Sequence, residues 1–369
     1  MKRYMFAGVA FLLVLLLGIV VLALSQDNSS ALAGQQETAT PAILATPGQI
    51  VFSSNQDGDN YDIYIMNADG SNMRNLTQND VLNSGPSWSP DGSQIVFVSQ
   101  SSFPSVDIFA MNADGSNLRQ LTQSDDQTDS RPSWSPDGSR IAFLSSSADG
   151  RMVGVMDADG SNVHILTPDL GAAAASTPIS WSPDGTRLAF SGVEETTGKL
   201  DIYVVNADGS DFRNVTQADG HDMLPDWSPV GEQIAFMSDR DGNLDIYVIS
   251  ADGSDLRNLT NDPAQDKNPQ WSPDGTQIVF DSLGRSDSTD IYVINADGSN
   301  LRNLTNDDRD DYSPVWSPDG RQIFFTKIIN GDFSDRDIYV VNADGSNPLD
   351  LTPVDTYESE ADQWMPAVP

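Results

Sequence analysis

The sequence repeats itself every 44 to 47 residues, and this period limits the fold more than any other feature of the chain. The letters WSPDG begin at Trp88, Trp134, Trp181, Trp271 and Trp316, and a near copy, WSPVG, begins at Trp227. A second marker, NADGS or a close variant, starts at Asn67, Asn112, Asp157, Asn206, Ser250, Asn295 and Asn342. A fixed period of this length is typical of solenoids, propellers and other repeat arrays. The chain from residue 48 to residue 369 is therefore predicted to be one repeat domain.

Each repeat contains short apolar runs separated by turn residues. Runs such as QIVFVS (94–99) and DIYVVN (201–206) are rich in Ile, Val, Phe and Tyr. Such runs are typical of β-strands, and the PDG and ADGS segments between them are typical of tight turns. Four short strands in about 45 residues is the pattern of a propeller blade. We predict an all-β, seven-bladed β-propeller of four-stranded antiparallel blades, with each repeated Trp packed between neighbouring blades.

The two ends of the repeat array are complementary. The first repeat starts at GQIVFSS (48–54) with no WSP before it, and the last ends in ADQWMPAVP, where Trp364, Met365 and Pro366 resemble W-S-P. A strand taken from the C-terminus would complete the first blade and leave no exposed sheet edge. We therefore predict that the ring is closed by the C-terminal strand, which joins the first blade.

Residues 1–33 have the pattern of a signal peptide or an N-terminal membrane anchor. Lys2 and Arg3 precede an apolar run of about 20 residues, from Tyr4 to Leu24, which is long enough to span a bilayer. The ALA segment at 31–33 resembles a cleavage site before Gly34. Both alternatives export the rest of the chain to the periplasmic or extracellular side of the envelope, either anchored or released. Residues 34–47 are predicted to be a flexible linker.

The composition excludes several classes of function. The chain has 54 acidic against 19 basic residues, a formal net charge of −35, which excludes nucleic acid as a partner because phosphate binding needs a basic surface. The charge is compatible with a cationic partner, a divalent cation or solubility alone. The chain has no cysteine, which excludes disulfides and thiolate sites, and only two histidines. No catalytic residue is predicted.

The repeated residues resemble a known family. The segments WSPDGSRIAF, DIYVVNADGS and LRNLT are similar to the TolB-type propeller repeat, a WD40-like repeat, and the resemblance extends over residues 48–369. It implies a binding scaffold of the bacterial envelope that engages protein or peptide over one face or the central channel. The chain differs from the TolB protein itself, whose propeller has six blades and follows an α/β domain. Similar repeats occur in prolyl oligopeptidase-like enzymes, but the sequence contains no G-x-S-x-G nucleophile elbow.

The variable loops are predicted to share one rim and to carry the function. In a four-stranded meander the loops after LT and the loops before DIY lie at the same end, opposite the PDG and ADGS turns, and variable loops on a rigid scaffold commonly bind ligands. These loops are acidic, which suits a basic peptide or a cation; a solvated rim without a ligand is the alternative. The candidate binding residues are Asp125, Asp126, Asp129, Asp219, His221, Asp222, Asp262, Asp266, Asp307, Asp308, Asp310 and Asp311.

One segment has the spacing of a metal-binding loop. Asp239, Asp241, Asn243 and Asp245 form D-x-D-G-N-x-D, which resembles the start of a calcium loop with oxygen ligands at alternate positions. The distant Glu of such loops is replaced by Ser250, and a plain hairpin turn is the alternative. Calcium is the only cofactor that the sequence suggests.

The function predicted from these observations is a non-enzymatic, exported scaffold that binds a protein or peptide, with contact to the membrane only through the N-terminal segment. The alternative is a propeller enzyme, a glycoside hydrolase or polysaccharide lyase, with an acidic or metal site at the channel mouth. The scarcity of His and the uniformity of the repeats favour the scaffold. The repeated arginines, among them Arg119, Arg213 and Arg257, are expected to pair with repeat-borne aspartates across strands.

Overall fold

The computed structural model describes residues 22–23, 48–57, 60–102, 105–123, 127–147, 150–167, 178–193, 197–329, 331 and 336–352. In these ranges every regular element is a β-strand, so the predicted all-β class is confirmed. None of the described segments forms a helix with the length and apolar character needed to cross a membrane. Residues 1–21, which hold most of the predicted signal or anchor segment, lie outside these ranges.

The strands of the described residues follow one another in seven antiparallel groups of four, which we number units 1 to 7. Unit 1 contains β1 (Leu22–Ala23), β2 (Gln49–Ser54), β3 (Asp62–Asn67) and β4 (Arg74–Asn75). Unit 2 contains β5 (Asn83–Trp88), β6 (Gln94–Ser102), β7 (Ser105–Asn112) and β8 (Arg119–Gln120). Unit 3 contains β9 (Thr128–Trp134), β10 (Arg140–Ser147), β11 (Gly150–Asp157) and β12 (His164–Ile165). Unit 4 contains β13 (Ser180–Trp181), β14 (Arg187–Val193), β15 (Leu200–Asn206) and β16 (Arg213–Asn214).

The last three units are described without a gap up to residue 329. Unit 5 contains β17 (Asp222–Trp227), β18 (Gln233–Ser238), β19 (Asp245–Ser250) and β20 (Arg257–Asn258). Unit 6 contains β21 (Gln265–Trp271), β22 (Gln277–Leu283), β23 (Thr289–Asn295) and β24 (Arg302–Asn303). Unit 7 contains β25 (Asp311–Trp316), β26 (Gln322–Ile328), β27 (Arg336–Asn342) and β28 (Leu349–Asp350). Each unit is a separate sheet except units 2 and 3, which are joined where Val106 of β7 pairs in parallel with Thr128 of β9.

The repeated letters form hydrogen-bonded turns. In the WSPDG turn after β5, the carboxylate of Asp91 accepts bonds from the Ser93 N–H at 3.0 Å and the Ser89 hydroxyl at 2.6 Å. Gly92 has a φ of 69°, a left-handed conformation that favours glycine. The Asp, Gly and Ser of this turn therefore recur because each supplies one part of the same local structure.

The repeated Trp packs between neighbouring units, as the sequence predicts. Trp88 of unit 2 lies in one core cluster with Val51 and Ile63 of unit 1. Comparable clusters join each described unit to the next, and one further cluster joins unit 7 to unit 1, with Phe324 beside Phe52. Such burial contributes about 25 cal/mol for each Å² of apolar surface removed from water.

The free edge of unit 1 is occupied by the N-terminal segment. Leu22 pairs with Ile50, and Ala23 pairs with Gln49. This is the register position that Trp88 takes beside Ile95 in unit 2. The prediction that the C-terminal strand fills this edge is not confirmed, because Leu22–Ala23 are found there and residues 353–369 lie outside the described part of the chain.

The repeated arginines connect neighbouring units through backbone carbonyls. Arg213 of unit 4 donates to the carbonyl oxygen of Ala251 at 3.0 Å, and Arg257 of unit 5 donates to that of Ala296 at 3.3 Å. The expected aspartates are near these arginines, but the direct bond goes to the carbonyl. The charges of Arg213 and Arg257 act on Asp252 and Asp297 of the neighbouring ADGS turns without a direct ion pair. Among the described residues, Arg213 pairs directly only with Asp211, two residues away.

Candidate functional site

The first strands of units 2 to 7 lie side by side, and we call them the inner strands. Strands β5, β9, β13, β17, β21 and β25 contact one another in chain order. The loops at the starts of these strands share one end with the loops that join the second and third strands. For units 5 to 7 we call this end the variable rim and define it as residues 215–221, 239–244, 260–264, 284–288 and 305–310.

The inner strands of units 3 to 7 line a cavity of about 120 Å³, which we call the central cavity. Its wall contains prolines from four neighbouring units, Pro178, Pro225, Pro269 and Pro314. The residue that precedes the repeated Trp also lines it, as Ser133, Ser180, Asp226 and Gln270 in successive units. The cavity is therefore apolar over much of its wall, with a band of polar side chains at one repeat position.

A β-bulge in the inner strands shapes this wall. Leu224, Asn268 and Ser313 each precede the proline and have φ values of 56°, 54° and 53°. A left-handed conformation is tolerated by Asn but is uncommon for Leu. The strand register shifts at these positions, and the bulged residues form part of the cavity wall.

A layer of buried ion pairs lies where the inner strands begin. Asp222, Asp266 and Asp311 hold the same repeat position, five residues before the Trp, and each is 0% exposed. Both oxygens of Asp222 accept bonds from Arg240 Nη2 at 2.8 Å. Arg285 Nη2 lies 2.6 Å from Asp266, and Lys327 Nζ lies 2.9 Å from Asp311. Burying a carboxylate is costly, and a cation partner with hydrogen bonds offsets part of that cost.

The three cations of this layer also lie over aromatic rings. Arg240 is 4.9 Å from the ring centroid of Tyr247, Arg285 is 5.5 Å from that of Tyr292, and Lys327 is 5.2 Å from that of Tyr339. Cation–π contacts of this kind stabilise by roughly 0.5–2 kcal/mol, and more when desolvated. Each cation is thus held between a carboxylate and a ring.

The aspartate of the repeated DIY segment has a structural role. In unit 5 the side chain of Asn258 donates to Asp245 at 2.8 Å, and the hydroxyl of Thr260 donates to it at 3.4 Å. The same hydroxyl accepts the N–H of Ile246 at 3.0 Å. The set recurs in unit 6 with Asp290. These contacts explain why D-I-Y and R-N-L-T recur together.

The predicted acidic residues separate into a buried and an exposed layer. Asp222, Asp266 and Asp311 belong to the buried ion pairs, and Asp129, which holds the same repeat position, is 4% exposed. The exposed members are Asp219, Asp307 and Asp308. Asp262 and Asp307 add a second carboxylate to Arg285 and Lys327, and Asp310 accepts the N–H of Thr289 at 2.8 Å. Asp125 and Asp126 lie outside the described residues.

His221 connects units 4 and 5. Its Nδ1 accepts the N–H of Leu200 at 3.2 Å, and its own backbone N–H donates to Asp239 at 2.6 Å. Both contacts hold the loop before β17 against its neighbours. This placement is that of a structural residue on the wall of the variable rim.

The predicted calcium ligands are engaged by protein groups, and two of them contact each other, since Asn243 Nδ2 donates to Asp245 Oδ1 at 3.0 Å. Asp241 accepts the hydroxyl of Tyr247 at 2.5 Å, and Asp245 is held by Asn258. The amide nitrogen of Asn243 donates to the carbonyls of Asp262 and Ala264, both at 2.8 Å. Among the described residues, no three acidic, His or Cys side chains are grouped so that they could hold a metal ion. Calcium binding by this segment stays a prediction.

Sequence reasoning missed the residues that interrupt the repeat in the interior. Arg240, Arg285 and Lys327 had no assigned role, and neither did Asp226, which stands where units 2 to 4 have Ser. Comparing the repeats column by column would have found Asp226 as the charged exception. Burial raises the pKa of Asp226 to about 7.

A second buried carboxylate lies in the wall between units 6 and 7. Asp281 is 1% exposed and accepts bonds from Asn268 Nδ2 at 2.6 Å and from the Ser313 N–H at 3.3 Å. Burial raises the pKa of Asp281 to about 6, against the opposing effect of these hydrogen bonds. Asp226 and Asp281 thus both lie in or beside the inner strands.

A family model agrees with this architecture. The model described as the TolB beta propeller domain matches residues 18–178, 171–282 and 267–367. No curated protein matches the sequence. The three family matches together cover most of the chain, from before β1 to beyond β28.

Several solved structures are similar to this chain. TolB from Acinetobacter baumannii is 18% identical, with a TM-score of 0.55 and coverage of 86% of this chain and 83% of that one. An oligogalacturonate lyase from Vibrio parahaemolyticus is 13% identical, with a TM-score of 0.62 and coverage of 83% and 86%. A puromycin-hydrolyzing peptidase from Mycobacterium tuberculosis is 15% identical, with a TM-score of 0.63 and coverage of 82% of this chain and 51% of that one. At these identities the likeness shows the fold alone.

Proposed function

The chain belongs to the TolB beta propeller domain family, and on this basis we propose that it is a non-enzymatic, exported scaffold that binds a protein or peptide. The resemblance inferred from the repeated residues is confirmed by the family match. The binding surface in this proposal is the variable rim of units 5 to 7. Export is supported by Lys2, Arg3 and the apolar run after them, and the periplasmic or extracellular side is the proposed location.

The distribution of charge on the variable rim carries the proposal. In its five segments, all of them described, the exposed charged residues are Asp219, Asp241, Asp287, Asp307, Asp308 and Arg309. Five of these six are acidic. The other cations of the rim, Arg240 and Arg285, are turned inward to buried carboxylates. A partner that approaches this end therefore meets negative charge, which favours a basic protein or peptide.

Replacing three exposed rim carboxylates is expected to weaken the binding of a basic peptide about tenfold, since each exposed charge pair contributes roughly 0.2–1 kcal/mol. The test uses the full-length chain in mild detergent, a fluorescent Lys/Arg-rich peptide and anisotropy at low and high salt. The variant is Asp219→Asn, Asp307→Asn and Asp308→Asn. The control carries Asp114→Asn, Asp159→Asn and Asp208→Asn in the exposed ADGS turns at the opposite end. Equal weakening in both triple variants would place the binding surface elsewhere.

A propeller enzyme is the second candidate function. It is favoured by the fold likeness to an oligogalacturonate lyase and by the carboxylate of Asp226 in the central cavity. Incubation with oligogalacturonate and a panel of polysaccharides, followed by chromatography, tests this candidate. New unsaturated or hydrolysed products that are lost in Asp226→Ser would replace the scaffold proposal with the enzyme.

The proposed ring has seven blades, one for each unit, and residues 358–369 complete the first blade once residues 1–33 are removed. The packing of Phe324 against Phe52 supports a neighbour relation between units 7 and 1. Deleting 358–369 is expected to lower the melting temperature of a chain that starts at Gly34, because the edge of β2 then has no partner strand. The same deletion in the full-length chain is expected to have a smaller effect, because Leu22–Ala23 pair with that edge. An unchanged melting temperature in the shorter chain would contradict closure by the C-terminal strand.

A further inference from the structure

The central cavity contains a single charged side chain among the described residues that line it. That residue is Asp226, at the position where neighbouring inner strands carry Ser133, Ser180 and Gln270. A carboxylate in a mostly apolar wall is costly unless a cation or hydrogen-bond donors satisfy it. The charge of Asp226 therefore indicates a cation or hydrogen-bond donor as its partner in the cavity.

Packing alone does not require this carboxylate. Oδ2 of Asp226 accepts the N–H of Trp271 in the next unit at 2.7 Å. One unit earlier, the hydroxyl of Ser180 accepts the equivalent N–H of Trp227 at 2.9 Å. A serine thus makes the same contact between inner strands without a charge. The carboxylate also receives a side-chain hydrogen bond from Ser180, and it adds a negative charge to the cavity.

A second acceptor stands at the same repeat position on the neighbouring inner strand. Oε1 of Gln270 is shielded from solvent and accepts no hydrogen bond from the described residues. Buried polar atoms nearly always have a partner, so an unsatisfied one needs an explanation. The amide of Asn268, which also lines the cavity, is already donating to Asp281. The polar part of the wall is thus rich in acceptors.

The rest of the wall suits an aliphatic chain. Leu224, Ile179 and the prolines of the inner strands supply apolar surface around Asp226. The volume of about 120 Å³ is close to that of an engineered cavity of about 150 Å³ that binds benzene. A group with a few methylenes and one charged end fits these limits of size and chemistry.

We propose that the central cavity binds a primary alkylammonium group, with Asp226 as its counter-charge and Gln270 Oε1 as a second acceptor. The ammonium supplies three donors and one positive charge, and its methylene stem lies against Leu224 and the prolines. Two sources share this chemistry: a lysine side chain of a bound protein, and a small free amine. Only the first source rests on the scaffold function proposed above.

Calorimetry on the full-length chain with three probes tests the site. Nα-acetyl-lysine amide represents a protein side chain, butylamine represents a free amine, and the same lysine amide acetylated at Nε is the uncharged control. We expect one or both amines to bind at millimolar concentration and the acetylated probe to give no heat. Binding of the lysine probe alone identifies a protein side chain as the ligand, and binding of butylamine alone identifies a free amine. No binding of either amine, or equal binding of the acetylated probe, would overturn the proposal.

Substitutions of Asp226 and Gln270 test whether these two acceptors bind the amine. Asp226→Ser keeps an acceptor for the Trp271 N–H, as Ser180 does in unit 4, and is expected to lose at least tenfold in affinity without a lower melting temperature. Gln270→Leu, expected to lose several-fold, is the second variant if Asp226→Ser fails to fold. Asp219→Ser on the exposed rim is the matched control and is expected to bind like the wild type. Wild-type affinity in Asp226→Ser would overturn the proposal.

The same probes separate this site from the rim. The triple rim variant at Asp219, Asp307 and Asp308 is expected to bind butylamine unchanged, because none of its substitutions lines the cavity. Loss of butylamine binding in that variant would overturn the assignment to the cavity. Failure of the rim to bind a basic peptide leaves the cavity result intact.

Discussion

Replacing Arg285 with methionine is expected to lower the free energy of unfolding by about 3–5 kcal/mol. Arg285 lies 2.6 Å from Asp266, which is 0% exposed, and the substitution leaves that carboxylate buried without its cation. Methionine retains an apolar stem near Tyr292, so the loss comes mainly from the charge. The measurement is urea unfolding at pH 7.5, with the melting temperature as a second reading.

Two further variants isolate the buried charge as the cause. Arg321→Met removes a guanidinium whose side chain is 72% exposed and 3.8 Å from Asp319, and it is expected to change the stability by less than about 1 kcal/mol. Adding Asp266→Asn to Arg285→Met is expected to recover part of the loss, because an amide costs less to bury than a charge. Equal effects of Arg285→Met and Arg321→Met would mean that the buried ion pairs do not stabilise the units that contain them.

The protein is also expected to be more stable at pH 5 than at pH 8. Burial raises the pKa of Asp226 to about 7 and that of Asp281 to about 6, from an ordinary value of 3.8. At a pH between the ordinary pKa and the raised pKa, the folded state holds protons that the unfolded chain releases. Stability is therefore lost as the pH rises from about 4 to about 7. For Asp226 the loss is on the order of 4 kcal/mol at most. The net charge of −35 acts in the same direction, because protonation reduces self-repulsion.

Carboxylates with a lowered pKa limit the increase in stability at low pH. Hydrogen bonds from Ser182 and Thr186 lower the pKa of Asp184 to about 2, so its contribution is lost only below about pH 4. Maximum stability is therefore expected near pH 4 to 5. The check is a series of melting temperatures from pH 4 to pH 8 for the wild type and for Asp226→Asn with Asp281→Asn. We expect the double variant to be more stable at pH 8 and to depend less on pH. A wild-type melting temperature that rises with pH would contradict the prediction.

The repeat determined which parts of the fold could be predicted. Strands, tight turns and the Trp between units follow from residues that are close in sequence, because a turn such as that at Asp91 is completed within five residues. The pairing at the edge of β2 did not follow, because two distant segments have suitable patterns and the choice between them is not local. Leu22–Ala23 are found there in the described part of the chain.

The exposure of the individual acidic residues could not be predicted from the sequence. Asp310 and Asp311 are adjacent in sequence and differ in exposure and partners. Asp310 is the last residue of the rim loop, whereas Asp311 is the first residue of β25 and is buried. An acidic run therefore does not tell which carboxylates a ligand can reach.

The sequence by itself determined the all-β repeat, the family, the turn chemistry and the strongly negative charge, because each depends on residue types at a fixed local spacing. Only the tertiary structure decided that Asp266 is paired with Arg285, nineteen residues away, and that Asp226 faces a cavity formed by neighbouring units. The physical reason is burial. Whether a carboxylate is solvated, paired or left in an apolar wall depends on the strands packed around it, and these come from other repeats.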